Sequence, residues 1–399
     1  VFTIIRNARV FAPEDLGKLD VLVVGHQIAA IAPMVELTSN QVPVEEVDAS
    51  DLYLLPGLID QHVHIAGGGG EGGFHYRTPE ISLSQVTTAG VTTLVGVLGT
   101  DGITRGTGEL LAKAKALEED GISTYIYCGA YELPARTLTG TPQGDLVFID
   151  KVIGVGEIAI SDTRSSHPSE QELAELASEA RVGGLLGAKA GVIHLHVGDD
   201  DPGLNILFDL TERTRLPRNM FVPTHLNRNP SLMRDAIRWA RLGGVVDITS
   251  GIRPDEHDTV SIKPSKAVRM LLDSGISPKQ ITMSSDSNGS SPIFDDSGRL
   301  VAMGIGSIAT LWEEIHDCIV DENIPVKDAV GLATQHVARI LQLSHKGSVQ
   351  PGFDADLLLV DADFNIQQVY AKGRLMVQEG RPVVMGTFEG YQKRQLPSS

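Results

Sequence analysis

Apolar residues along this chain follow two rhythms. Near both ends they come in short runs bounded by turn residues. At the start these are Phe2 to Ile5, Val21 to Val24, Ile28 to Ile31 and Leu52 to Leu55, broken by Ala12-Pro13-Glu14-Asp15 and Gly25-His26. Such runs predict antiparallel strands. The pattern returns after about residue 350, in Ala355-Asp356-Leu357-Leu358-Leu359-Val360 and in Val369 to Val377, with a hairpin turn expected at Lys372-Gly373. Neither end has enough strands to bury a sheet alone, so residues 1–55 and 346–399 are expected to build one small β-sandwich together.

Between them, residues 56–345 alternate apolar strands with amphipathic helices. The strand-like runs are Leu58 to Asp60, Thr92 to Val97, Thr124 to Tyr127, Ile158 to Ser161, Val192 to His196, Met220 to Thr224, Val245 to Thr249 and Ile281 to Ser284. Helical periodicity appears at Glu109 to Glu119, Glu170 to Ala180, Ser231 to Leu242 and Ser265 to Ser274. Repetition of strand and helix on this scale predicts an α/β fold, a (β/α)8 TIM-like barrel. A doubly wound open sheet is the alternative, but no GxGxxG follows the first strand, which weakens a dinucleotide reading.

Composition narrows the function classes. Of 399 residues 42% are hydrophobic and 21% charged, as in a globular protein rather than a disordered one. Acidic residues number 51 against 33 basic ones, a formal charge of −18. Phosphate binding needs clustered Lys and Arg, so no nucleic-acid partner is expected and an anionic membrane surface is disfavoured. The two cysteines, Cys128 and Cys318, lie far apart, which argues against a disulfide scaffold and fits a reducing cytoplasm. No apolar run approaches the ~18 residues of a membrane span, and no basic-then-apolar segment opens the chain, so a cytoplasmic location is expected.

The chemistry sits at strand ends. In Asp60-Gln61-His62-Val63-His64, residues two apart share a face, so His62 and His64 present two imidazoles side by side. Such a pair grips a metal ion or sits as half-buried histidines inside a barrel. This pair has company: His196 ends Val192-Ile193-His194-Leu195-His196, and His225 ends Phe221-Val222-Pro223-Thr224-His225. Catalytic groups of barrels gather at the C-terminal ends of strands. His194 shares a face with His196 and is a rival ligand; His196 is preferred because it lies nearer the loop. Asp286, in Met283-Ser284-Ser285-Asp286-Ser287-Asn288-Gly289, leaves the last strand, where a carboxylate can ligate a metal and carry a proton. Taken alone it would read as a cap or turn residue. Glu157 lies in the apolar run Val155-Gly156-Glu157-Ile158-Ala159-Ile160, and a buried carboxylate needs a positive partner. Arg164 or a solvent-exposed strand start would satisfy it, but with histidines on either side in the chain a metal ion is the better partner.

Taken together, these residues resemble the amidohydrolase superfamily, in its isoaspartyl dipeptidase family. The likeness includes Gly67-Gly68-Gly69-Gly70-Glu71, Leu98-Gly99-Thr100-Asp101, Gly129-Ala130-Tyr131, Pro223-Thr224-His225-Leu226-Asn227-Arg228-Asn229 and Pro351-Gly352-Phe353-Asp354-Ala355-Asp356-Leu357. The resemblance implies metal-dependent hydrolysis of β-aspartyl dipeptides with two divalent metal ions, zinc favoured. His62, His64 and Asp286 would hold one ion and His196 and His225 the other. Glu157 stands where the family usually has a bridging carbamylated lysine. Being shorter, it is expected to reach the metals through a bulge at Gly156, the apparent extra residue. Asp286 would act as general base and acid, and Tyr131 would donate to the oxyanion. Glu71 suits the substrate ammonium, Arg164 and Arg228 its carboxylates, and the resemblance adds Thr100 and Ser290 as substrate contacts. It also suggests a homo-oligomer. The rival functions are a cyclic-amide hydrolase of the dihydropyrimidinase or hydantoinase type, an N-acyl-amino-acid deacylase, and a metal-free assembly subunit.

Overall fold

The computed structural model describes residues 2–37, 42–254, 258–294 and 300–390. The N-terminal strands are β1 (Phe2–Phe11), β2 (Asp15–Val24), β3 (Gln27–Ala32), β4 (Val44–Asp48) and β5 (Tyr53–Pro56). Eight barrel strands come after them: β6 (Leu58–Val63), β7 (Val91–Gly96), β8 (Ser123–Cys128), β9 (Val152–Ile160), β10 (Val192–Val197), β11 (Phe221–Thr224), β12 (Val246–Thr249) and β13 (Ile281–Ser284). A hairpin of β14 (Ser290–Phe294) and β15 (Leu300–Ile305), which the apolar pattern did not predict, comes next. The chain returns to the terminal sheet with β16 (Leu357–Val360), β17 (Ile366–Ala371), β18 (Arg374–Gln378) and β19 (Arg381–Pro382).

Both ends of the chain share one sheet, ordered β19-β18-β17-β16-β5-β1-β2-β3, with β4 added on β1. The join is β5 against β16, antiparallel from Leu357↔Pro56 to Val360↔Tyr53. This forms the β-sandwich domain expected from the two termini. Its core, with Ile5, Val21, Leu54, Leu357 and Leu359, is separate from that of the barrel.

Strands β6 to β11 run parallel in chain order, and β12 pairs in parallel with β13. Apart from half-buried Tyr125 in β8, each is buried along its whole length, as expected where helices cover a parallel sheet. Two seams between these ladders are closed largely by polar contacts. At the first, Thr249 N donates to Asn227 Oδ1 at 3.0 Å and His225 N to Thr249 Oγ1 at 3.2 Å. At the second, His64 N donates to Ser287 O at 2.9 Å and Asp286 N to His62 O at 3.1 Å. His62, His64, His225 and Asp286 all take part in these bonds, so barrel closure itself places residues singled out for chemistry. The helices Thr107–Asp120, Glu170–Gly187, Pro230–Arg241 and Pro264–Asp273 match the predicted ones. Strand β9 begins earlier than the expected Ile158, because Gly154 and Gly156 interrupt the apolar run without ending the strand.

Candidate metal centre

Four imidazoles and two carboxylates meet at the C-terminal mouth of the barrel. His62 Nε2 lies 3.3 Å from Glu157 Oε2 and 3.3 Å from Asp286 Oδ1. His64 Nε2 lies 3.3 Å from Glu157 Oε1 and 3.0 Å from Asp286 Oδ1. His225 Nε2 faces the same carboxylates, 3.8 Å from Glu157 Oε2 and 4.0 Å from Asp286 Oδ2. His196 Nδ1 is 3.5 Å from Glu157 Oε2 and 2.8 Å from the Tyr131 hydroxyl. Among the described residues, two groupings are tight enough for an ion: His62, His64 and Asp286, and His62, Glu157 and His225. His62 has a nitrogen within reach of both groupings, and His196 flanks the second.

Local backbone explains these directions. Across the β9–β10 ladder, Val155 pairs with Ile193 and Ile158 with Leu195, so Gly156 and Glu157 together oppose the single residue His194. That is the bulge expected at Gly156. A Cβ there would stand 2.8 Å from both Cβ and O of His194, so no larger residue fits. The bulge aims Glu157 at all four histidines, not at Arg164. His225 and Asp286 leave their strands with φ of 65° and 55°, a left-handed conformation uncommon outside glycine.

Outside this group, His194 turns deeper into the barrel. Its Nε2 sits 2.9 Å from His62 Nδ1, so it supports a candidate ligand instead of competing with one. Asp162, which the sequence pattern did not single out, holds His196 Nε2 at 2.9 Å and Arg164 Nη2 at 2.8 Å. Its position, just past the end of β9 and two residues before Arg164, was the available signal.

The electrostatics call for positive charge. Burial opposes a charge on His64, yet Asp286 and Glu157 outweigh it and raise its pKa to about 10. Burial likewise works against ionised Asp286, but His62 and His64 hold its pKa at about 2. Glu157, against the same penalty, is held well below the usual carboxylate range by the surrounding imidazoles. Burial, reinforced by His196, lowers His225 to about 3 and keeps it neutral, as a ligand must be. His62 Nε2 and Glu157 Oε2 are buried with no hydrogen-bond partner. Bare imidazole nitrogens and carboxylate oxygens, buried and convergent, fit a divalent cation of the zinc type.

Beside the centre lies a polar cluster. Glu71 accepts from Thr100 Oγ1 at 2.8 Å, Ser290 Oγ at 3.0 Å and Arg164 Nη1 at 3.3 Å, and it lines a cavity of about 270 Å³. The glycines before it are structural: Gly67, at φ 79°, passes so close to Thr78 O that a Cβ would clash. In Asn227-Arg228-Asn229 the flanking residues fasten the loop. Asn227 Nδ2 donates to the carbonyls of Thr249, Ile252 and Ile262, and Asn229 Oδ1 caps the helix Pro230–Arg241. Arg228 between them has a loose contact of 3.8 Å to Asp199 and a buried Nε without a partner.

A sequence profile described as the amidohydrolase family matches residues 223–376. The solved β-aspartyl dipeptidase of Fervidobacterium islandicum AW-1, in complex with β-Asp-Leu dipeptide, is 42% identical. The match covers 96% of this chain and 98% of that one, with a TM-score of 0.89. A dihydroorotase of Lactobacillus johnsonii is 22% identical over 90% of this chain and 89% of its own length. Adenine deaminase 4 of Rhizobium meliloti is 22% identical over 93% of this chain, which spans only 56% of that protein. The chain belongs to the amidohydrolase family, in the group whose solved members include a β-aspartyl dipeptidase.

Proposed function

We propose that this protein is a metal-dependent dipeptidase that hydrolyses β-aspartyl (isoaspartyl) dipeptides. The carrying observation is one mouth at which four imidazoles and two carboxylates converge beside Glu71, Thr100, Ser290 and Arg164. The likeness to a dipeptidase solved with β-Asp-Leu supports the substrate class. His62, His64 and Asp286 would hold one divalent ion and His196 and His225 a second, with Glu157 shared between them. Zinc suits this donor set. When bound, such a pair supplies an acidified water and a polarised carbonyl.

The chain's own groups do the rest. Asp286, whose side chain is 26% exposed, faces the mouth and accepts the proton of the attacking water. It then delivers that proton to the departing amine. Burial pushes the Tyr131 phenol well above its ordinary pKa, so it stays protonated and donates to the developing oxyanion. Glu71, held by Thr100 and Ser290, receives the substrate ammonium. Arg164, fixed by Asp162, and Arg228, on its fastened loop, receive the carboxylates. In a chain of net charge −18, a dianionic substrate needs such local cations.

Among the described residues no helix is long and apolar enough to cross a membrane. We place the enzyme in the cytoplasm, acting on a small dipeptide without nucleic-acid or membrane partners. The exposed apolar side chains of Phe148, Leu185 and Leu186 support a homo-oligomer. The test is a zinc-loaded assay with β-Asp-Leu, α-Asp-Leu, hydantoin, dihydrouracil and N-acetyl amino acids. A β-aspartyl dipeptidase should cleave β-Asp-Leu far faster than the rest. Faster turnover of a cyclic amide or an N-acyl amino acid, or none of any, would overturn the proposal.

A further inference from the structure

Beneath the metal centre lies a buried carboxylate that the mechanism does not use. Asp247, on β12, is fully buried and accepts four hydrogen bonds. Its Oδ1 receives Gln61 Nε2 at 2.7 Å and Thr282 Oγ1 at 2.6 Å. Its Oδ2 receives Thr224 Oγ1 and Ser284 Oγ, each at 2.6 Å. The other Gln61 amide hydrogen goes to Thr282 Oγ1 at 2.8 Å, which leaves the Thr282 hydrogen for Asp247. Four donors converge on one anion, and no cationic side chain is among them.

A hydroxyl has one hydrogen, and that fixes the direction of every bond leading away from Asp247. Thr224 commits its hydrogen to Asp247, so in its 3.1 Å contact with Thr249 Oγ1 its oxygen accepts. Thr249 therefore donates to Thr224 and has no hydrogen left. Its oxygen faces His225 Nδ1 at 2.8 Å and takes the His225 backbone N–H at 3.2 Å. Towards that nitrogen it can only accept. Nδ1 must carry the ring proton, and Nε2, which faces Glu157 and Asp286, is left bare.

We propose that Asp247, acting through Thr224 and Thr249, is a positioning residue that fixes the tautomer of His225 and so presents Nε2 to the metal. The proposal rests on the metal-centre reading above. It also explains why β11 and β12 end in threonines: Thr224 and Thr249 are the two steps between the barrel floor and the ligand. The relay spans the first seam of the barrel, where ladder hydrogen bonds give way to side chains. Reversing any one link would turn a hydrogen towards His225 Nδ1 and favour the tautomer that blocks the metal side.

The experiment is a zinc competition titration against a chromophoric chelator on the full-length protein, with unfolding midpoints recorded for every variant. Thr249→Val should weaken zinc binding about 10–100-fold, the range found when the outer partner of a metal-binding histidine is removed. Thr249→Ser, which keeps the hydroxyl, should stay within about 3-fold of wild type. Thr224→Val touches no ligand side chain, yet it should weaken zinc about 10-fold, with Thr224→Ser restoring it. Ser284→Ala removes an equal hydrogen bond from Asp247 that lies off the relay, and should leave zinc affinity unchanged. If Thr224→Val binds zinc like wild type, or Ser284→Ala weakens it as much, the relay is overturned while the metal centre stands. If wild-type protein binds no zinc, the metal-centre reading fails and the relay fails with it.

Discussion

Two clusters of buried charge in this molecule look alike in composition and differ in completeness. Where the terminal sheet meets the barrel, Lys346 Nζ lies 2.5 Å from Asp356, 2.8 Å from Asp354 and 2.6 Å from Ser123 Oγ. All three ammonium hydrogens have acceptors, and Asp356 Oδ1 also takes the Lys372 N–H at 2.7 Å. At the barrel mouth, two carboxylates face four imidazoles, and His62 Nε2 and Glu157 Oε2 stay without partners. The first cluster contains its own cation and holds two parts of the fold together. The second gathers anions and imidazoles close enough together to hold the divalent cation proposed above. Closure of hydrogen bonds, rather than burial or charge count, separates the structural cluster from the chemical one.

The largest effect that could break this contrast is at Asp286. Asp286→Asn should lower kcat/KM about a thousand-fold or more at saturating zinc, as loss of the proposed proton carrier would. An activity within tenfold of wild type would make Asp286 a turn residue. Lys346→Met should do the opposite. It should cost about 3–5 kcal/mol of stability, because buried Asp356 and half-buried Asp354 lose their cation, with kcat/KM of the folded protein nearly unchanged. Chemical denaturation measures this, and a stability equal to wild type would mean that the junction is not held by charge. Tyr131→Phe should reduce kcat about 100-fold with little change in KM, as removal of an oxyanion donor does. Arg228→Ala should raise KM about 10–100-fold while leaving zinc content unchanged, the effect of losing a charge-assisted hydrogen bond to a substrate carboxylate. Loss of zinc in that variant would reassign Arg228 from substrate to metal support.

The smallest effect is in pH dependence, which has the same sign in the two clusters but falls in different pH windows. His64 has a folded pKa raised from 6.5 to about 10, despite burial, by Asp286 and Glu157. Its contribution is complete below pH 6.5 and is lost as pH climbs towards 10. Lys346 is also raised, despite burial, by Asp356 and Asp354, but from 10.5, so the junction keeps its contribution until pH passes that range. Zinc-free protein should therefore lose a few degrees of melting temperature between about pH 6.5 and 9.5, and zinc-loaded protein should not. Parallel curves with and without zinc would contradict the proposal that His64 binds zinc.

Much of this could be read from the chain because strand periodicity and barrel geometry act on short segments. Apolar runs located the eight barrel strands, and strand ends then pointed to His62, His64, His196, His225 and Asp286, which the structure brings to one mouth. The glycine before Glu157 indicated a bulge only because the stretch is one residue longer than in the family it resembles. What stayed hidden depends on contacts between distant segments. His194 and His196 share a face, and only depth within the barrel separates a support for His62 from a neighbour of Glu157. Asp162 was not singled out from the sequence, and only folding sets it between His196 and Arg164. Asp247 sat in an ordinary apolar strand, and its four donors come from Gln61, Thr224, Thr282 and Ser284, on three other strands. The hairpin of β14 and β15 carries weak apolar alternation, so nothing in the pattern announced it.

The most direct measurement is the metal stoichiometry of zinc-loaded, gel-filtered protein, compared with that of Glu157→Ala. About two divalent ions per chain are expected in the wild type and no more than one after substitution, because Glu157 is the group proposed to be shared between the two positions. A wild type that hydrolyses β-Asp-Leu with one ion or none, or a Glu157→Ala protein that keeps both, would contradict a shared two-ion centre.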